Sequence, residues 1–274
     1  MLILCSMDTA LHFRRFEFKY LLNKAEESRI KRYLARYMVP DPQAHKTGSY
    51  EVVSLYFDSP AFYYYHEKTD GIKKRKKIRL RTYRTENAFS HDVFFEIKRK
   101  IDAVVLKDRF SFDRGRYVSF MEQWNLTGVP HLNDDKNVSK ILHEFDWERR
   151  LRSISPKILV AYEREPFLGK YNQHVRITFD RAIRAREDDN LFYAGDEWED
   201  VSRGKTVMEI KFTGLLPFYI TKVIHLFNLE RVAFSKYCNS VDACGSLSYK
   251  DSSSRTLFSV QNNFNHFQPI WNLL

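Results

Sequence analysis

The sequence predicts an α+β protein in which about eight antiparallel strands form one sheet, with helices packed on its outside. Three observations carry this. Short segments rich in aromatic and β-branched residues alternate at period two. Turn-like or charged stretches separate most neighbouring segments, which favours antiparallel pairing. Three longer stretches repeat their apolar residues at helical spacing.

In chain order, Phe13–Leu21 is the first strand segment. Asn23–Met38 then reads as a helix, with Asn23 and Glu26 spaced as a capping box and Ile30, Leu34 and Met38 as its buried stripe. Tyr50–Phe57, Lys77–Tyr83, Asp92–Lys98 and Ala103–Phe112 return to period two. Asn137–Ile154 is helical, burying Val138, Ile141, Leu142 and Phe145. The strands Lys157–Pro166, His174–Asp180 and Thr206–Phe212 precede a helix over Phe218–Leu229, which follows Pro217. The tail after Val241 is Ser-rich and then aromatic, and Phe258, Phe264, Phe267 and Trp271 are expected to dock it on the surface. With 9 Gly and 8 Pro spread along 274 residues, no linker or repeat divides the chain. One domain is expected, with its core over residues 12–241 and a tail over 242–274.

Lys and Arg number 45 against 35 Asp and Glu, a formal charge of +10, which favours anionic partners. Cys5, Cys238 and Cys244 have neither the count nor the spacing of a disulfide framework or zinc site, so a reducing compartment is expected. The short apolar start is no signal peptide, and no run of about 18 uncharged apolar residues occurs. A soluble, cytoplasmic protein is the expectation.

Successive strand residues point to opposite faces, so parity shows what each face meets. In Phe16-Glu17-Phe18-Lys19-Tyr20 the rings take one face and the charges the other. The same division recurs in Ile78-Arg79-Leu80-Arg81, Phe95-Glu96-Ile97-Lys98, Leu106-Lys107-Asp108-Arg109-Phe110, Tyr162-Glu163-Arg164, Val175-Arg176-Ile177 and Met208-Glu209-Ile210-Lys211-Phe212. A solvated face on a one-sided sheet would produce alternating charge as well. The basic bias points elsewhere: Lys19, Arg79, Arg81, Lys98, Lys107, Arg109, Arg164, Arg176 and Lys211 oppose only Glu17, Glu96 and Glu209. If the sheet curls with this face inward, those cations converge and repel unless a polyanion fills the lumen. Arginine suits bidentate phosphate binding, lysine supplies a compact charge, and the carboxylates are hard ligands for Mg²⁺ or Mn²⁺. Pairing with neighbouring cations is the structural alternative for Glu17 and Glu96.

From about Arg14 to about Val241 the chain resembles the VTC domain, the catalytic domain of the vacuolar transporter chaperone complex, within the triphosphate tunnel metalloenzyme superfamily. Besides the segments above, the resemblance rests on Leu55-Tyr56-Phe57-Asp58, Thr178-Phe179-Asp180 and Phe234-Ser235-Lys236-Tyr237 in order. It implies a closed tunnel of eight antiparallel strands and a polyphosphate polymerase, which passes the γ-phosphate of ATP to a growing chain with Mn²⁺ or Mg²⁺. It assigns phosphate binding to Lys19, Arg79, Arg81, Lys98, Lys107, Arg164, Arg176, Ser235 and Lys236, with Tyr162 beside them and Glu209 as metal carboxylate. Arg109 and Lys211 join this substrate-binding set through their parity.

Where the wider superfamily opens with Glu-x-Glu-x-Lys, this chain has Arg15-Phe16-Glu17-Phe18-Lys19, a departure that fits the polymerase branch better than a hydrolase or cyclase. The family's helical sensor domain and transmembrane segments have no counterpart in this sequence, so a separate membrane protein is the expected partner for translocation. A catalytically silent polyphosphate-binding module and a triphosphatase are the alternatives. No nucleic-acid partner is expected, because RNA-recognition signatures are absent. Gly204-Lys205-Thr206 has Glu199 where a P-loop needs glycine, and Lys73-Lys74-Arg75-Lys76-Lys77 reads as a solvated turn or a basic tunnel mouth. His66, His91, His131 and His143 lack metal-ligand spacing.

Overall fold

The computed structural model describes residues 15–44, 48–85, 88–102, 104–123 and 136–247. The expected aromatic tail contacts of Phe258 to Trp271 lie outside the described residues, as do Phe13, Ala103 and His131. Eight long strands form one antiparallel ladder, in spatial order β1 (Arg15–Leu22), β11 (Thr206–Thr213), β9 (Arg176–Glu187), β8 (Ser155–Gly169), β3 (Tyr50–Asp58), β4 (Lys74–Thr85), β6 (Asp92–Ile101) and β7 (Val104–Asp113). The short strands β2 (Met38–Pro40), β5 (Ala88–Phe89) and β10 (Glu199–Asp200) pair with β8, β4 and β9. All eight expected strands are present. The ladder is strongly curled: Glu17 on β1 lies 3.8 Å from Lys98 on β6, although five strands separate β1 and β6 in the ladder. A tunnel results whose edge strands are β1 and β7, without a hydrogen-bonded ladder between them among the described residues.

The outward face carries the apolar parity. Under α1 (Lys24–Leu34) and α5 (Phe218–Leu226) lie Tyr20, Leu22, Ile177, Phe179, Met208 and Ile210. Under α2 (Tyr63–Thr69), α3 (Arg114–Gln123) and α4 (Lys136–Arg152) lie Leu55, Phe57, Leu80, Phe95, Ile97 and Phe110. At roughly 1.5–3 kcal/mol per fully buried large side chain, these two layers hold the sheet from outside and leave its inner face available for charge.

The capping box at α1 forms in both directions, Asn23 Oδ1 accepting from Glu26 N at 2.9 Å and Glu26 Oε2 from Asn23 N at 2.8 Å. The helix ends at Leu34, earlier than its periodicity suggests, and Met38 enters β2 while staying in the buried layer. Helices α2, α3 and α6 (Lys236–Ala243) have no helical signal long enough to read. In α2 the cap comes from outside the helix: Asp58 at the end of β3 accepts from Ser59 N, Tyr64 N and Tyr65 N at 2.7, 2.9 and 3.0 Å.

Helix α6 packs on the inner side of the sheet and closes part of the lumen. Its Tyr237, Cys238 and Val241 are buried with Tyr56, Ile158, Val160, Tyr162, Ile183 and Val207. Tyr237 Oη donates to the same Asp58 that caps α2, so one buried carboxylate joins β3, an outer helix and the inner helix. Replacing Asp58 with Ala strands these donors and is expected to cost about 3 kcal/mol. Urea denaturation checks this, and a loss below about 1 kcal/mol would show that Asp58 does not tie the two helices.

Candidate functional site

Strand register sets the site. Glu209 on β11 sits opposite Lys19 on β1 and Thr178 on β9, and Glu17 sits opposite Lys211. Glu209 Oε1 lies 2.8 Å from Lys236 Nζ and 3.3 Å from Lys19 Nζ; Oε2 lies 3.1 Å from Lys211 Nζ and 3.7 Å from Arg164 Nη2. Asp180, fully buried on β9, takes Arg164 bidentately at 2.7 Å for both bonds, and Lys236 Nζ at 2.5 Å. Burial pushes the Glu209 carboxyl up, but Lys236, Lys19, Lys211 and Arg164 outweigh it and hold Glu209 well below the usual carboxylate range. Lys236 is desolvated too, yet Asp180 and Glu209 hold its pKa above the ordinary lysine value.

A second cluster lies along β4, β6 and β7. Glu96, 1% exposed, accepts from Arg79 Nε at 2.7 Å, with Lys107 Nζ at 2.5 Å and Arg81 Nη1 at 3.8 Å. Arg79 Nη1 also donates to Tyr56 Oη at 2.7 Å, and Arg81 Nε to Ser54 Oγ at 3.3 Å. Burial raises the Tyr56 phenol, but Arg79, Arg81 and Lys77 bring it down to about 8.

The N-terminus of α6 faces both clusters. Ser235 caps it, accepting from Cys238 N at 3.2 Å, while Ser235 Oγ also takes Lys77 Nζ at 2.7 Å. Lys19 Nζ donates to Phe234 O at 2.9 Å. Contrary to the expected division of Tyr162-Glu163-Arg164, ring and guanidinium share the inner face, two residues apart: the Tyr162 ring lies beneath Lys236 at 4.7 Å and Arg164 at 5.2 Å, a wall that fixes both cations by cation–π attraction.

The structure therefore brings Lys19, Arg164, Lys211, Lys236, Ser235, Tyr162 and Glu209 together, with Arg79, Arg81 and Lys107 beside them. Three expected residues stand apart. Lys98 reaches Glu17 and is 43% exposed; Arg109 lies over the Phe94 ring at 4.8 Å; Arg176 pairs with Asp41 at 2.9 Å. Asp180, Lys77 and Tyr56 are the contributors missed in the sequence. Asp180 shares parity with Arg176, and Lys77 with Arg79 and Arg81, so both were readable as inward. Burial lowers the Lys77 ammonium to about 8.

Oxygen donors share this part of the inner face: Glu209 and Asp180, which hold the same Lys236 ammonium, and Thr178 opposite Glu209 in register, whose Oγ1 is buried without a hydrogen-bond partner. Such hard donors fit Mg²⁺ or Mn²⁺. No three His, Cys, Asp or Glu among the described residues form a metal group by themselves.

A curled antiparallel sheet with a cationic lumen and a few central carboxylates defines a triphosphate tunnel domain, a class that acts on triphosphates and phosphate chains. The chain belongs to the VTC domain family, whose model matches residues 14–244. No curated protein matches the sequence. Among solved structures, a candidate adenylate cyclase from Bacillus halodurans is similar at 13% identity and TM-score 0.46, over 81% of this chain and 95% of that one. A candidate adenylyl cyclase from Hippeastrum, described as having a dominant triphosphatase activity, is similar at 12% identity and TM-score 0.48, over 83% and 95%. The PH1819 protein of Pyrococcus horikoshii is similar at 14% identity and TM-score 0.43, over 82% and 96%.

Lys77, Lys107 and Tyr56 each titrate at about 8 in the folded chain, below their ordinary values near 10. For both lysines burial is the first cause. From about pH 8 to 9 these three groups make the unfolded chain bind more protons than the folded one, so their contribution to stability rises with pH; Cys244, held up at about 11 by burial, has the opposite sign, as do the raised phenols of Tyr65 and Tyr117, whose unfolded counterparts lose protons mainly near pH 10. The ligand-free protein is expected to melt higher at about pH 9 than at 7, while its affinity for tripolyphosphate falls as Lys77 and Lys107 lose charge. Thermal melts and titration calorimetry across this range check both signs, and opposite slopes would contradict the assignment.

Proposed function

We propose that the chain is a cytoplasmic polyphosphate polymerase that transfers the γ-phosphate of ATP to the end of a phosphate chain inside the tunnel. The observation that carries this is the lumen itself, where Lys19, Arg79, Arg81, Arg164, Lys211 and Lys236 crowd around Glu96, Asp180 and Glu209. Membership of the VTC domain family selects phosphate chains among the possible polyanions.

In this reading a terminal oxygen of the growing chain attacks the γ-phosphorus. A new P–O bond forms as the bond to the β-phosphate oxygen breaks, and ADP departs. The attacking group belongs to the substrate, so no Ser, Cys or His nucleophile is needed, and positioning with charge stabilisation does the work. Arg79, Arg81 and Arg164 are already aimed by Glu96 and Asp180 and present their remaining donors to phosphate oxygens. Lys236 and Lys19, at the α6 end of the chamber, offset charge at the transferring group, and Lys98, Lys107, Arg109 and Arg176 hold the flanking chain. Glu209 would hold Mg²⁺ or Mn²⁺, which would supply Lewis-acid withdrawal of charge from the phosphate. A separate membrane protein is the proposed partner for moving the product.

Purified protein incubated with ATP and Mn²⁺ is expected to yield a ladder of long chains on a polyphosphate-stained gel. Glu209→Gln is expected to lose at least about 10²-fold in turnover while still binding tripolyphosphate. Free phosphate without chains would favour a triphosphatase, and binding without metal-dependent turnover a silent module; full activity in Glu209→Gln would remove the metal role.

A further inference from the structure

Strands β4 and β6 place like charges directly opposite one another on both of their faces, and the two faces are treated differently. On the outward face Lys76 pairs with Arg99, and this pair is neutralised: Lys76 reaches Glu144 at 2.7 Å and also Glu148, and Arg99 reaches Asp108 at 2.6 Å and also Glu144. On the inward face Lys77 sits opposite Lys98 and Arg75 opposite Lys100. Of these four cations, only Lys98 has an ion pair among the described residues, with Glu17 at 3.8 Å. Burial first, and then the neighbouring Arg75, hold the Lys100 ammonium below its ordinary value. Cross-strand like charges are destabilising, and a sheet that neutralises them outside while leaving them open inside is arranged for an anion supplied from elsewhere.

The position of this ladder gives it a direction. Lys77 contacts Ser235 at the chamber, while Arg75 and Lys100 lie further along, at the end where β4 begins and β6 ends. The apolar residues of α6 pack against Tyr56, Ile158, Val160, Ile183 and Val207 of β3, β8, β9 and β11, so beside α6 the β4–β6 wall keeps its charged lining. From Arg79 to Arg75 is about 13 Å of strand, longer than three linked phosphates.

We propose that Arg75 and Lys100 form a second phosphate subsite outside the chamber, a track that holds the distal part of a long chain where it passes α6, so that the protein binds by chain length as well as by terminal triphosphate. This rests on the chamber holding phosphate. Each further phosphate along the track meets an unneutralised cation, so affinity rises with length and falls steeply with salt.

The test is titration calorimetry of the full chain, as wild type and as Arg75→Ala with Lys100→Ala, against tripolyphosphate and long-chain polyphosphate at several salt concentrations. The double variant is expected to lose about tenfold for the long chain, about 1.4 kcal/mol, with a salt slope lower by about two, and less than about twofold for tripolyphosphate. Arg75→Lys with Lys100→Arg is expected to restore the long-chain value, which separates charge from misfolding. Equal losses for both lengths, or none, would overturn the track while leaving the chamber reading intact, and a wild type that binds neither ligand would overturn both. Exposed Ile72, Ile101, Val104 and Val105 lie at the same end, so phosphatidylserine vesicles are the third ligand. Vesicle binding lost in the double variant with length dependence kept would assign the patch to a membrane and overturn the proposal.

Discussion

The arrangement depends on one constraint: cations collected on the inner face of a curled sheet must be held by a smaller number of carboxylates. Glu209 and Asp180 meet it at the centre. Between them they contact Lys19 from β1, Arg164 from β8, Lys211 from β11 and Lys236 from α6. Removing either acid would leave desolvated positive charges unpaired, the costly half of any buried ion pair. The hub therefore contributes less as attraction than as a condition that fixes where four elements stand. Donors left over after the carboxylates are satisfied are what a phosphate chain would meet.

That inner face is tolerable because the hydrophobic work is done elsewhere. Two apolar layers on the outside, one under α1 and α5 and one under α2, α3 and α4, clamp the sheet without entering the lumen. In an ordinary one-sided sheet the polar face meets water, whereas here it meets itself. Curling brings Glu17 and Lys98 together across the lumen and confines the charges at low dielectric, which strengthens every interaction among them. Polarity on one face and apolarity on the other thus follow from a single period-two pattern, and closure converts that pattern into a site.

This explains what the sequence disclosed and what it withheld. The strands were legible because alternation is local: Met208-Glu209-Ile210-Lys211-Phe212 shows its two faces without knowledge of any partner. The helix α1 was legible through Asn23 and Glu26. Helix α2 was not, because its cap is Asp58 at the end of a strand, and α6 was not, because eight residues with modest periodicity resemble a loop. Asp180 stayed hidden for a related reason: its role depends on Arg164 from the neighbouring strand and Lys236 from a distant helix, contacts that no local pattern encodes. Conversely, Arg176 has inward parity and yet faces Asp41, which directly follows β2 and is tied through its backbone N–H to Pro166 O on β8.

Helix α6 shows how far tertiary contacts outweigh propensity. A helix of this length is marginal in water, yet three consecutive residues tie it to separate parts of the tunnel. Ser235 takes Lys77 from β4, Lys236 takes Asp180 and Glu209 from β9 and β11, and Tyr237 donates to Asp58 on β3. Its apolar residues replace the phosphate-facing lining on one side of the lumen, and its first turn brings the capping Ser235 and the ammonium of Lys236 into the chamber. The same element thus narrows the tunnel and completes its charge, so the shape of the lumen and its chemistry cannot be altered independently.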